Sequence, residues 1–157
     1  MNKLQAAKVA IEAEIFRATR SFVDTTYNRI VERYTAGTGP ASLASRSGAL
    51  VGGVRKETVI GPPVTGRVYM QRSGESYNPF YAIVHEEGRT IRPKRAKYLR
   101  FQIDGRWVFA KQVVIPARPI WATTAHEMLP LYEHEVQKSV DRICAIISKT
   151  NYPPVGA

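Results

Sequence analysis

The chain is short of the residues that build covalent and catalytic frameworks. It has one cysteine among 157 residues, so no disulfide can close within it. Cys144 falls in a helical apolar pattern, where a buried and inert thiol is expected. No run of about eighteen apolar residues occurs, which excludes a helix able to satisfy its backbone groups across a bilayer, and no membrane partner is expected. The opening MNKLQAAKVAIEAEIF carries Glu12 and Glu14 where the apolar core of an export signal would stand, so the cytoplasm is the expected place of synthesis. Acidic residues are scarce too: 13 Asp and Glu stand against 23 Lys and Arg, a net charge of +10. That excess favours an anionic partner, whether nucleic acid, an acidic protein face or a lipid headgroup.

The motifs of nucleophilic, nucleotide and metal chemistry are also missing. Ser42, Ser45 and Ser47 lie in a Gly/Ser-rich stretch without a G-x-S-x-G elbow, and no G-x-x-x-x-G-K loop is present to cradle phosphates. His85-Glu86-Glu87 offers imidazole beside carboxylate. A helical zinc site, however, needs two histidines four apart around a glutamate, and neither His85 nor the pair His126 and His134 supplies that. No catalytic residue, metal or cofactor is expected, and the protein is read as a non-enzyme.

Against these absences the hydrophobic periodicity is plain. Leu4, Ala7, Ile11, Ile15, Ala18, Phe22, Thr26, Ile30 and Tyr34 recur at spacings of three and four, which predicts one amphipathic helix over about residues 3–35, stopped by Gly37, Gly39 and Pro40. So long a helix exceeds what a small domain covers. Part of its stripe meets another subunit, or a kink near 21–26 folds it back. Residues 36–53 turn to Gly, Ser, Ala and Thr without period and are expected as a mobile loop.

VRKETVI (54–60) and VTGRVYM (64–70) are β-rich around Gly61-Pro62-Pro63 and predict two strands joined by a turn; residues 77–84 suit a short strand or a helical turn. In KYLRFQI-DG-RWVFAKQV, Asp104-Gly105 tolerates the positive φ angles of a type I′ turn and predicts a hairpin. Pairing across it puts Leu99, Phe101, Ile103, Arg106, Val108 and Ala110 on the expected core face. Arg100, Gln102, Trp107, Phe109 and Lys111 share the other, which is either a contact surface or the side packed beneath the long helix.

Thr124 with Glu127 has capping-box spacing before a second helix, unless that helix starts with Pro130 at its first position. Its expected apolar stripe is Leu129, Tyr132, Val136, Val140, Ile143 and Ile147. The fold class these elements predict is α+β. An antiparallel sheet with the Asp-Gly hairpin packs against an N-terminal and a C-terminal helix in one domain over 1–150, and 151–157 form a tail.

Between strand and hairpin, Arg89, Arg92, Lys94, Arg95, Lys97 and Arg100 form a basic run interleaved with Tyr98 and Leu99. It can track a phosphate backbone without reading sequence, or be a solvated loop. No zinc-finger spacing or aromatic RNA-binding signature turns the charge into a recognised nucleic-acid module.

Three segments together resemble the tailed-phage neck and tail-completion family, which includes virion morphogenesis and minor tail components. Arg46-Ser47-Gly48-Ala49-Leu50 is similar to the family's Ser/Thr-Gly-x-Leu loop after a long amino-terminal helix. Tyr81-Ala82-Ile83-Val84-His85-Glu86-Glu87-Gly88-Arg89-Thr90 resembles its Tyr-Ala, then His or Glu, then Gly-Thr segment, with Arg89 intervening. Ile115-Pro116-Ala117-Arg118-Pro119-Ile120-Trp121 resembles its Pro-Ala-Arg-Pro-aromatic turn before the last helix, with Ile120-Trp121 where Phe is more usual.

The resemblance implies a structural virion protein, made in the host cytoplasm and working at the head–tail junction or tail end. It would form a homo-oligomeric ring, a hexamer being one stoichiometry, that docks on head-closure or tail proteins and contacts phage DNA transiently in its lumen. Gly48, Leu50, Tyr81, His85, Glu86, Gly88, Pro116, Arg118 and Pro119 are then assembly or architectural positions, and the six cations of the basic run are candidates to face DNA. Physical chemistry adds one expectation: Pro116 and Pro119 fix φ on both sides of Arg118, presenting its guanidinium to a carboxylate such as Glu86.

Overall fold

The computed structural model describes residues 2–37, 41–43, 48–71 and 79–150. The fold is mixed α+β. In chain order it runs α1 (Lys3–Thr35), α2 (Ala49–Gly53), β1 (Val54–Val59), β2 (Thr65–Met70), α3 (Pro79–Glu87), β3 (Arg89–Ile91), β4 (Leu99–Ile103), β5 (Arg106–Ala110), β6 (Val113–Ile115) and α4 (Ile120–Lys149). The strands form three antiparallel pairs, β1 with β2, β3 with β6 and β4 with β5. The chain divides into two compact units: Met1–Glu32, Val54–Met70 and Thr124–Ala157 in the first, Arg33–Gly53 and Gln71–Thr123 in the second.

In the first unit α1 starts where the Asn2 side chain accepts the Leu4 amide, an N-cap that satisfies an otherwise orphaned donor. The helix is continuous, without a fold-back at 21–26, and Gly37 at φ 64° lies just past its end, as a left-handed C-terminal residue does. Its stripe is unevenly covered: Ala7 and Ile30 are buried, whereas Leu4 and Ile15 stay exposed, and Val23, outside the predicted stripe, is buried as well. Strand β2 comes so close to α1 that a Cβ at Gly66 would overlap Val23 Cγ2 and reach within 2.9 Å of Thr19 Cγ2. Phe22 and Tyr132 stack at 4.9 Å, tilted by 56°, between α1 and α4. The Glu14 carboxylate holds Arg17 at 2.7 Å and Arg142 at 3.0 Å, and Lys56 bonds Asp24 at 2.7 Å.

Helix α4 departs from expectation. It begins at Ile120, so Thr124 is no cap but a buried residue inside the helix, and Pro130 is also interior. Its buried residues are Ile120, Thr124, Met128 and Ser139, a face beside the predicted stripe; of the stripe Leu129, Tyr132, Val136, Val140 and Ile147 are exposed and Ile143 is half-buried, and Cys144 is exposed too.

In the second unit residues 36–53 are more ordered in part than composition suggested. Leu43 N–H donates to Arg33 C=O at 2.8 Å, Ser42 is buried, and 49–53 form α2, which lies against α3. Of the stretch 77–84 the described residues, from Pro79 on, are helical, α3 opening at Pro79 where a missing amide is tolerated. The hairpin is as predicted: Asp104 and Gly105 have φ 49° and 79°, and Leu99↔Ala110, Phe101↔Val108 and Ile103↔Arg106 pair in the expected register. Leu99, Phe101, Val108 and Ala110 are half-buried, while Trp107 and Phe109 are exposed rather than packed beneath a helix. Ser45, Ser47, Arg46, residues 77–78 and the predicted tail 151–157 lie outside the described residues.

Candidate functional site

Backbone geometry joins two of the three motif segments. After α3, Gly88 at φ +72° turns the chain so that β3 pairs with β6, Arg89 opposite Ile115 and Ile91 opposite Val113. No other residue fits there, because a Cβ at 88 would stand 2.7 Å from Ala117 N and 3.0 Å from Ile115 O. The Arg118 amide then donates to His85 C=O at 2.6 Å.

The start of α4 explains the acidic residue of this segment. A helix leaves its first four amides without partners. Pro119 has none to leave, the Ile120 amide bonds Arg118 C=O at 2.8 Å, and the Glu86 carboxylate accepts from Trp121 at 3.2 Å and Ala122 at 3.0 Å. A carboxylate suits this place twice over, as acceptor and as negative charge at the positive end of the helix dipole. Glu86 is thus a helix cap and not the partner expected for the Arg118 guanidinium. Arg118 stands near His85 instead, whose imidazole is held below its ordinary value, first by burial and then by that positive charge. His85 Nδ1 is buried without a hydrogen-bond partner among the described residues.

The other motif positions fall into place around this joint. Gly48, at φ +67°, precedes α2, and half-buried Leu50 lies within α2. Exposed Pro116 and Pro119 flank Arg118. Tyr81 points outward with Phe80 and Ile83 on α3. Two features escaped the sequence reading. One is this exposed apolar α3, signalled by a run, PFYAIV, too apolar for one buried face to absorb. The other is the bond from Trp121 Nε1 to buried Tyr34 Oη at 2.9 Å, which no local pattern announces.

The basic run is exposed throughout, and Arg89, Arg92, Lys94, Arg95, Lys97 and Arg100 make no ion pair among the described residues. Three of them sit over aromatic rings instead: Arg89 over Phe80 at 5.0 Å, Lys97 over Tyr98 at 5.7 Å and Arg100 over Trp107 at 3.8 Å. In the first unit, α1 and α4 border an apolar groove of about 250 Å3 lined by Ile15, Phe22, Tyr132, Val136, Val140 and Ile143. Among the described residues no three His, Cys, Asp or Glu side chains gather to hold a metal, and no helix is long and apolar enough to cross a membrane.

These elements define a mixed α+β protein with exposed apolar helix faces and a cationic surface that makes no ion pair among the described residues. Comparison with protein-family models, curated proteins and solved structures finds no match to the chain.

Proposed function

We propose that the protein is a structural, non-enzymatic subunit of a tailed-phage virion that assembles with copies of itself into a ring at the head–tail junction or tail end. The observation that carries this reading is the exposed apolar stripe of α4, where Leu129, Tyr132, Val136, Val140 and Ile147 present surface that a self-sufficient small protein would bury. A second copy meeting that stripe with a different patch makes a heterologous contact, which closes into a ring when the rotation per subunit allows. Support also comes from the joint formed by Glu86, Gly88 and Arg118, which gives two segments of the family resemblance a shared architectural task. Sedimentation and negative-stain microscopy of the purified protein should reveal concentration-dependent rings, and mass spectrometry should find the chain in purified particles. A chain that is strictly monomeric and absent from particles overturns the proposal.

The second reading is a sequence-nonspecific nucleic-acid-binding protein, favoured by the six exposed cations of the basic run, which make no ion pair among the described residues. Salt separates the two, since phosphate contacts weaken steeply with ionic strength and an apolar ring interface does not. If the ring lines a channel for phage DNA, some of the same cations would face its lumen. Replacing Arg92, Lys94 and Arg95 with Ser should then preserve rings and impair DNA retention or ejection. Loss of assembly with DNA behaviour unchanged would make the run a docking surface for an acidic neighbour.

A further inference from the structure

The outer face of the β4–β5 hairpin carries a pattern that ring formation leaves unused. Arg100 pairs with Phe109 and Gln102 with Trp107 across the ladder, so these four side chains share one face, while on the opposite face Leu99, Phe101, Val108 and Ala110 are half-buried and Ile103 and Arg106, next to the turn, are exposed. Trp107 is 53% exposed and Phe109 62%, large rings with most of their surface in water. The Arg100 guanidinium lies 3.8 Å from the Trp107 ring centre, so stacking orders it while its N–H edge has no carboxylate partner among the described residues. Arg92, Lys94, Arg95 and Lys97 lead directly into β4, exposed and without an ion pair among the described residues.

Each class of polyanion answers only part of this pattern except one. An acidic peptide supplies charge but no flat faces for the rings. A duplex supplies phosphates, yet its base faces are covered within the stack. An unpaired strand supplies both, and its bases stack on aromatic rings and on guanidinium planes. Spacing agrees: Trp107 and Phe109 lie two residues apart on an extended strand, about 7 Å. Stacked bases rise only about 3.4 Å per step, so bases seated on both rings must be drawn apart, which a single strand permits.

We infer that the outer face of the β4–β5 hairpin binds single-stranded nucleic acid, with bases stacked at Trp107 and Phe109 and phosphates against Arg100 and the cations of the basic run. This goes beyond the ring and does not depend on it, because neither ring side chain belongs to the α4 stripe. The test titrates the full-length protein with a twelve-residue oligothymidylate while following tryptophan fluorescence. Binding should quench the emission, weaken as salt rises, and lose its quench in Trp107→Leu; Trp107→Leu and Phe109→Leu should each lower affinity about tenfold.

An abasic strand of equal length carries the same charge without bases and should bind about tenfold more weakly, a comparison that holds even if a variant folds poorly. Equal affinity for abasic strand and oligothymidylate overturns the inference, as does equal affinity for duplex without quenching. Polyglutamate binding as tightly would mark the face as a protein-docking surface, and no binding at low salt would also end the idea. Sedimentation of the same samples reports the ring separately, so the two failures cannot be confused.

Discussion

The two compact units have nearly equal numbers of cations and very different electrostatics. The first holds 11 Lys and Arg against 9 Asp and Glu, the second 12 against 4, so net charges of +2 and +8 make up the total of +10. In the first, charges are spent internally: Glu14 holds Arg17 and Arg142, Asp24 holds Lys56, and Glu57 holds Arg67. In the second, the carboxylate of Glu86 serves a helix terminus, and the cations of 89–100 rest on aromatic rings or face water. The difference teaches that one unit uses charge to hold its helices and strands, while in the other the cations of 89–100 make no ion pair among the described residues. Self-repulsion among these cations costs the second unit stability, and backbone fit and capping must offset it.

That contrast can be strained where each unit is tightest. Gly88→Ala should be the most damaging change, because it adds positive-φ strain to a methyl 2.7 Å from backbone that has no room to move; a loss of about 3 kcal/mol or more is expected by thermal or urea unfolding. Gly66→Ala should cost less, about 1–3 kcal/mol, since its obstacles are the Val23 and Thr19 side chains rather than backbone. If Gly66→Ala proves worse than Gly88→Ala, the second unit is not the one that depends on backbone fit.

Glu86→Ala removes the acceptor of two amides and should lower stability by about 2 kcal/mol, with Glu86→Gln recovering part of it. An unchanged midpoint for Glu86→Ala would mean that solvent caps α4 equally well.

Charge removal should then separate the units directly. Glu14 has only 11% of its side chain exposed and serves two arginines, so Glu14→Ala should cost about 1 kcal/mol. Changing Arg92, Lys94 and Arg95 together to Ser should leave the unfolding midpoint within about 0.5 kcal/mol, because no internal partner is lost. A substantial destabilisation by the triple change would show that those cations have a structural duty after all.

The smallest effect is a pH dependence. His85 has a lowered folded-state value, so the unfolded chain binds its proton first. Its contribution should be flat above about pH 6.5 and decline as pH falls from there to the folded value, and His85→Gln should remove that component. A decline of the same size in the variant would assign it to the carboxylates.

What the sequence made legible was local. The bounds of α1 and the register of the β4–β5 hairpin follow from a 3.6-residue period and from one Asp-Gly dipeptide, both satisfied within a few residues of themselves. The beginning of α4 did not, because its capping carboxylate lies 35 residues upstream while a decoy capping pair, Thr124 and Glu127, lies close by. Its apolar stripe was read correctly as a pattern, but the pattern does not mark the buried face: Val136 and Val140 are where the period puts them, yet the unit buries Met128 and Ser139 instead. Periodicity reports which face is apolar, and only packing decides whether the same chain covers it. Of the candidate site, Gly88 and Glu86 were found by motif, but their tasks depend on Ala117 and the α4 amides, contacts between segments that no single window contains.

The distant cap on α4 also bears on the order in which the chain folds. A helix capped by its own neighbours can start as soon as it is made, whereas the first turn of α4 has to wait until the segment bearing Glu86 has closed a loop of some 35 residues. Its amides should therefore be poor reporters of fraying and good reporters of that closure. In hydrogen exchange, Trp121 and Ala122 are expected to exchange together, at the rate at which the β3–β6 joint opens, rather than at rates graded by distance from the helix end.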